Sequence, residues 1–251
     1  MSKTRNIKLT IEYDGTHFQG WQVQKNSERT IQAEIEKACK KILGEKIGVT
    51  GSGRTDSGAH ALGQVANFKA VTSLSCDKIL KAFNACLPYD IAITKAEDAD
   101  SKFHARYSAK SKVYRYTILN SEARCAQQRN FCTFYPYLLN ISLMRKEAQC
   151  LTGKHDFKSF QATPPSDEKS KSTIRTIKKI AIQKKGDLIT FDFEADGFLH
   201  KMIRNIIGTL IVVGSGRLPK GSMRKILDKK NRLSAGPTAK ARGLCLIKVN
   251  Y

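Results

Sequence analysis

Ile7-Lys8-Leu9-Thr10-Ile11-Glu12-Tyr13 carries an apolar side chain at every second position. A period of two marks a strand with one buried face. Working outward, Ile31, Ile35, Ala38 and Ile42 recur at helical spacing, with Thr30 placed to cap the start and Gly44 to stop the end. Lys46 to Thr50 and Gln64 to Lys69 read as strands on either side of a glycine-rich loop. Ser75 to Leu87 reads as a helix with Ile79, Leu80 and Phe83 on one face and Pro88 just beyond it; Ile91 to Ala96 reads as another strand. Strand, helix, strand, strand, helix, strand is the order of a ferredoxin-like unit.

The second half gives the same order. Lys112 to Leu119 is a strand, Leu143 to Leu151 a helix, and Thr173 to Ile182 with Leu188 to Glu194 a hairpin turning at Lys185-Gly186-Asp187. Phe198 to Val213 reads as helical, a short basic helix follows near Met223 to Lys229, and Leu244 to Val249 closes as a strand. The predicted class is therefore α+β: two ferredoxin-like halves with a mixed, largely antiparallel sheet flanked by helices. The boundary falls around Lys102 to Ala109, giving an N-terminal domain 1–105 and a C-terminal domain 106–251. Ser121 to Leu139, and Gln161 to Lys171 with Pro164-Pro165, have no clear pattern, and connections of that length are often functional.

The chain has 251 residues, of which 41% are hydrophobic, enough for a real core. Its 44 lysines and arginines against 22 acidic residues leave a net charge of +22. Such an excess costs self-repulsion and points to a polyanionic partner, with nucleic acid ahead of an anionic membrane surface. Lys3 and Arg5 precede no apolar run of signal-peptide type, and Ile206 to Gly214 is about half the ~20 residues a membrane span needs. A cytoplasmic protein is expected. The seven cysteines form no Cys-x-x-Cys pair, so reduced thiols and no structural metal are expected.

The densest chemistry lies in Gly51-Ser52-Gly53-Arg54-Thr55-Asp56-Ser57-Gly58-Ala59-His60. Read from residue types alone, this is either a polar turn in which Asp56 caps a neighbour, or a carboxylate nucleophile with Arg54 beside it. An aspartate is ionised at neutral pH, which suits a nucleophile and not a general acid. A phosphate loop is excluded: Gly53-Arg54-Thr55 lacks the lysine that the Walker spacing requires, and a carboxylate at 56 would repel phosphate.

Gly53-Arg54-Thr55-Asp56-x-Gly58-x-His60 resembles the signature of the tRNA pseudouridine synthase A family. Further stretches in the same order resemble it too: Tyr13-Asp14-Gly15-Thr16 with Gly20-Trp21-Gln22, then Gly63-Gln64-Val65, then Lys112-Val113-Tyr114-Arg115-Tyr116. Gly153-x-His155-Asp156-Phe157-x-Ser159-Phe160, Phe198-Leu199-His200-x-Met202-Ile203-Arg204-Asn205-Ile206-x-Gly208, Gly236-Pro237-Thr238-Ala239 and Gly243-Leu244 complete the match. Ala59 stands where valine is usual and Lys240 where proline is common, and Ser121 to Leu139 resembles little.

The resemblance implies the pseudouridine synthase fold and the isomerisation of uridine to pseudouridine at positions 38–40 of the tRNA anticodon stem-loop, without cofactor or metal. It implies a homodimer acting on tRNA and no membrane association. Asp56 matches the catalytic aspartate, which adds to uracil C6 or to ribose C1′. Tyr114 matches the tyrosine that packs on the target base; Tyr116 shares its period-two facing, and both also fit a strand core. Arg204 matches an arginine that pairs with the aspartate, and otherwise reads as a surface cation of its helix. Arg54 matches one that helps expel the base, and equally fits a phosphate contact. Trp21, Asp14, His60, His155 and His200 have no assigned chemistry. Lys184-Lys185, Lys229-Lys230, Arg232, Lys240 and Arg242 are candidate RNA contacts. The competing readings are a non-catalytic RNA-binding module, which leaves the Gly-Arg-Thr-Asp loop unexplained, and a peripheral membrane protein, for which Met223 to Lys230 is a weak amphipathic candidate.

Overall fold

The computed structural model describes residues 4–24, 29–163 and 172–251. Lys3 and the 164–171 part of the second patternless connection lie outside them. The chain divides into two compact units: one runs to Lys110 and includes Cys245–Tyr251, and the other is Ser111–Leu244.

In the first unit, β1 (Thr4–Tyr13) buries Ile7, Leu9, Ile11 and Tyr13 on one face, the alternation that the sequence carries. It lies antiparallel between β3 (His60–Val71) and β4 (Ile91–Ala99), with Leu9 opposite Ala66 on one side and Ala96 on the other. β2 (Thr50–Gly51) pairs with the outer side of β3, so β4-β1-β3-β2 is the ferredoxin-like strand order. The last strand, β10 (Leu244–Asn250), joins β3 in parallel through Cys245 and Leu246. From sequence that strand closed the second half; its residues from Cys245 onward belong to the first unit.

Helix α1 (Ile31–Leu43) begins where the Thr30 hydroxyl accepts the Ala33 N–H and ends at Gly44, whose φ of +78° only glycine adopts without cost. It buries Ile31, Ile35, Ala38 and Cys39, and α2 (Cys76–Cys86) buries Ile79 and Phe83. The strand expected over Lys46 to Thr50 shortens to β2, because α1 captures the backbone that would pair. Glu36 accepts the Val49 N–H (3.1 Å) and Gln32 donates to the Val49 carbonyl (3.3 Å).

In the second unit, β5 (Ser111–Leu119), β9 (Leu188–Ala195), β8 (Ile174–Lys185) and β7 (Gly153–Asp156) form an antiparallel run in that spatial order, and β6 (Thr133–Phe134) adds to β5 in parallel. Tyr116 faces Phe191 and Tyr114 faces Phe193 across β5 and β9. Three helices complete the unit: α3 (Ile141–Ala148), α4 (Met202–Gly214) and α5 (Ser222–Lys229). Helix α4 starts four residues later than Phe198, because Lys201 takes a left-handed conformation (φ 57°) that a helix interior excludes. Helix α5 has no side-chain cap of its own; the buried Glu147 carboxylate of α3 accepts the Gly221 and Met223 N–H groups instead (2.6 and 3.1 Å). The class is α+β with largely antiparallel strands, and each unit packs helices on its sheet.

Candidate active site

Asp56 sits half-buried in the turn between β2 and β3, and almost every neighbour of it is tied down. The Thr55 carbonyl accepts the Trp21 N–H (3.2 Å), and the Thr55 hydroxyl bonds the buried Tyr13 hydroxyl (2.8 Å). On the other side, the Phe18 carbonyl accepts the Gly58 N–H (3.3 Å) and the Ser57 hydroxyl (3.1 Å). The Asp56 carbonyl accepts the Ala59 N–H (3.1 Å), closing the turn. Ahead of it, Gln64 lies fully buried: it donates to the Gly53 carbonyl (3.0 Å) and accepts the Ser52 hydroxyl (2.6 Å). That glutamine is a positioning residue: the sequence analysis places it in the matched Gly63-Gln64-Val65 stretch but gives it no role, because its partners are fixed only by the fold.

The opening motif forms the loop's outer wall. A Cβ at Gly20 (φ +88°) would stand 2.6 Å from the Thr55 carbonyl oxygen, and one at Gly51 would stand within 2.6 Å of the Trp21 indole. These close approaches require glycine. Trp21 is buried, so its place in the motif is packing against the loop. Asp14 caps the 3₁₀ turn Gly15–His17 by accepting the Thr16 N–H (2.9 Å). Burial alone would raise its pKa, but the Thr16 hydrogen bonds prevail and hold it below the ordinary value. Buried His60 accepts the Gly15 N–H on Nδ1 (3.1 Å), which fastens the same turn to the loop's end. Arg54 is exposed and donates from Nε to the Gln22 side-chain carbonyl (3.3 Å).

Tyr114 and Arg204 belong to the second unit. Tyr114 is 7% exposed and meets Phe198 edge to face, with centroids 5.1 Å apart. Tyr116 is fully buried: its hydroxyl donates to the Lys240 carbonyl (2.8 Å) and accepts from Thr133 (2.6 Å). Burial pushes the Tyr116 phenol up to about 12, with the Thr133 hydrogen bond working against it. Arg204, half-buried on α4, donates from Nε to the Ala239 carbonyl (2.7 Å), while its own carbonyl accepts the Ala239 N–H (3.0 Å). The Gly236–Ala239 stretch is fixed in turn. Asn205 accepts from Thr238 (2.6 Å) and from Arg232 (3.1 Å), and Arg232 also donates to the Gly236 carbonyl (3.0 Å). Arg232 is therefore a brace of this turn and not a solvated cation.

A family model described as tRNA pseudouridine synthase matches residues 9–108 and 148–251. The chain belongs to the tRNA pseudouridine synthase family. A tRNA pseudouridine synthase A from Thermoanaerobacter sp. (strain X514) is 46% identical over 247 residues, covering 98% of this chain and 100% of the relative. One from Geobacillus kaustophilus (strain HTA426) is 42% identical over 249 residues, 99% of this chain and 95% of the relative. This pseudouridine synthase is accordingly an isomerase. Arg54, Asp56 and Arg204 fall inside the matched spans, and Tyr114 falls between them. Among the described residues, no helix is long and apolar enough to cross a membrane.

Proposed function

We propose that this pseudouridine synthase isomerises uridine to pseudouridine in tRNA, at positions 38–40 of the anticodon stem-loop, with Asp56 as the nucleophile. The observation that carries the reading is the bracing of the Asp56 turn. Thr55, Ser57 and Gly58 all give polar groups to the Tyr13–Trp21 stretch, and Gln64 holds Ser52 and Gly53 from behind. A capping turn on a surface needs no such support. A nucleophile held within a fraction of an ångström of its target does.

Asp56 adds through a carboxylate oxygen to uracil C6 or ribose C1′. The N1–C1′ bond breaks, the base turns, and C5 bonds to C1′; the bond to Asp56 breaks in turn, displaced by C5 if it was made at C1′ or lost by elimination if it was made at C6, and the carboxylate is regenerated. C5 loses its proton and N1 gains one, so the product is an isomer and no co-reactant is consumed. Arg204 takes the role of the family's arginine that serves the aspartate, its guanidinium held at Nε by the Ala239 carbonyl. Tyr114 supplies the ring that receives the base, oriented by its edge contact with Phe198. Arg54 takes part in expelling the base, which costs a few kcal/mol of lost stacking and pairing. The protein acts as a homodimer, with its cationic surface drawn to the phosphates of tRNA.

Tritium release from tRNA carrying 5-tritiated uridine tests the reading. Wild type is expected to release tritium and Asp56→Asn to release none, with tRNA binding retained. Near-normal release by Asp56→Asn would remove Asp56 as nucleophile. Binding without release by wild type would instead indicate a non-catalytic RNA-binding module.

A further inference from the structure

A cavity of about 590 Å³ lies beside the Ser121 to Leu139 connection, wholly within the second unit. Arg124, Arg129, Lys240 and Arg242 stand on its lining, with Leu119 and Phe134 among the apolar members and no carboxylate among the lining residues. Two of the four cations are ordered by the loop's own backbone. Arg242 donates to the Arg129 carbonyl (3.3 Å), and Arg129 donates to the Ala126 carbonyl (2.9 Å). Phe134 is partly exposed and lies opposite Leu119 where β6 pairs with β5. A volume of this size suits a single small ligand. An aromatic face beside clustered guanidinium groups suits a base joined to a phosphate.

We propose that this cavity seats one unpaired nucleotide of the RNA substrate, its phosphate among Arg124, Arg129, Lys240 and Arg242 and its base against Phe134. The proposal rests on the tRNA reading above and gives the connection a role in substrate selection. Most of the lining comes from residues outside the spans that match the family model, which makes the cavity a place where relatives can differ in the RNA they accept.

The test is steady-state kinetics of the full chain on a tRNA transcript, with Arg124→Ala/Arg129→Ala beside Arg124→Lys/Arg129→Lys. The alanine pair is expected to raise KM about tenfold with kcat little changed, and to make the dependence of log Kd on log salt shallower by about one to two units; the lysine pair keeps most of the wild-type values. An unchanged KM and salt slope in an alanine pair that melts like wild type would overturn the proposal. Should that pair fail to fold, Phe134→Ala carries the same expectation for KM. Titration with uridine monophosphate separates the sources of the nucleotide. Tight binding that the alanine pair abolishes, with KM for tRNA unmoved, would assign the cavity to a free nucleotide and overturn the RNA assignment. Wild-type turnover judges the tRNA reading by itself, so the two can fail separately.

Discussion

Tyr114 and Tyr116 stand two residues apart on the same face of β5 and differ in what their rings meet. The Tyr116 hydroxyl is committed to Thr133 and the Lys240 carbonyl, so Tyr116 works as a bolt. Tyr116→Phe leaves that carbonyl unsatisfied and is expected to cost about 1–3 kcal/mol of stability in urea melts, with kcat little changed. Its pH dependence follows from burial. The neutral phenol is favoured in the folded state, so the contribution is complete below about pH 10, where the unfolded tyrosine is also neutral. It is lost as pH rises from there towards the folded value of about 12. Tyr13 is raised in the same sense by its burial. Wild type should therefore lose stability between those limits, and Tyr116→Phe should lose less over the same range. An identical slope for both would assign the alkaline loss to other groups. Trp21, Asp14 and His60 carry the same lesson. Each belongs to a motif that reads as chemistry, yet Trp21 packs against the Asp56 loop, Asp14 caps the Gly15–His17 turn and His60 fastens that turn to the loop's end.

Helix α4 shows how an element positions a site. It is buried along most of its length, and a Cβ at Gly208 would overlap the Pro237 carbonyl oxygen, backbone that cannot swing aside. The Gly236–Ala239 stretch therefore lies directly on the helix. That proximity is what lets Ala239 exchange two hydrogen bonds with Arg204. Gly208→Ala is expected to destabilise the fold by about 1–3 kcal/mol through overpacking. It should also depress kcat by displacing Ala239 from Arg204. A variant of normal activity, with only its melting point lowered, would separate the turn from the arginine's role.

The charge of +22 acts at the scale of the whole molecule. If tRNA neutralises about six cations, binding should weaken roughly 10³-fold between about 50 and 200 mM salt. Loss of less than tenfold would mean that most of the excess charge serves solubility and not RNA. Not every cation is available for that purpose. Arg232 is spent inside the second unit on Asn205, Thr238 and Gly236, and Arg115 is paired with Asp192 across β5 and β9. Charge counting alone gives those the same weight as an exposed lysine.

What the sequence determined by itself was local. Alternation along Ile7 to Tyr13, helical spacing after Thr30, the stop at Gly44 and the turn at Gly186 are consequences of neighbouring residues, and the structure follows them. The motifs likewise marked Asp56, Tyr114, Arg54 and Arg204 by type and order. Tertiary structure decided what depends on distant partners. The strand expected before Thr50 gives way to side chains of α1, the last strand joins β3, and Gln64 and Ala239 become the supports of Asp56's turn and of Arg204. A backbone carbonyl has no side-chain identity, and a buried amide declares its partner only when the chain has brought the two together. Such pairings are invisible to any reading of residue types in order.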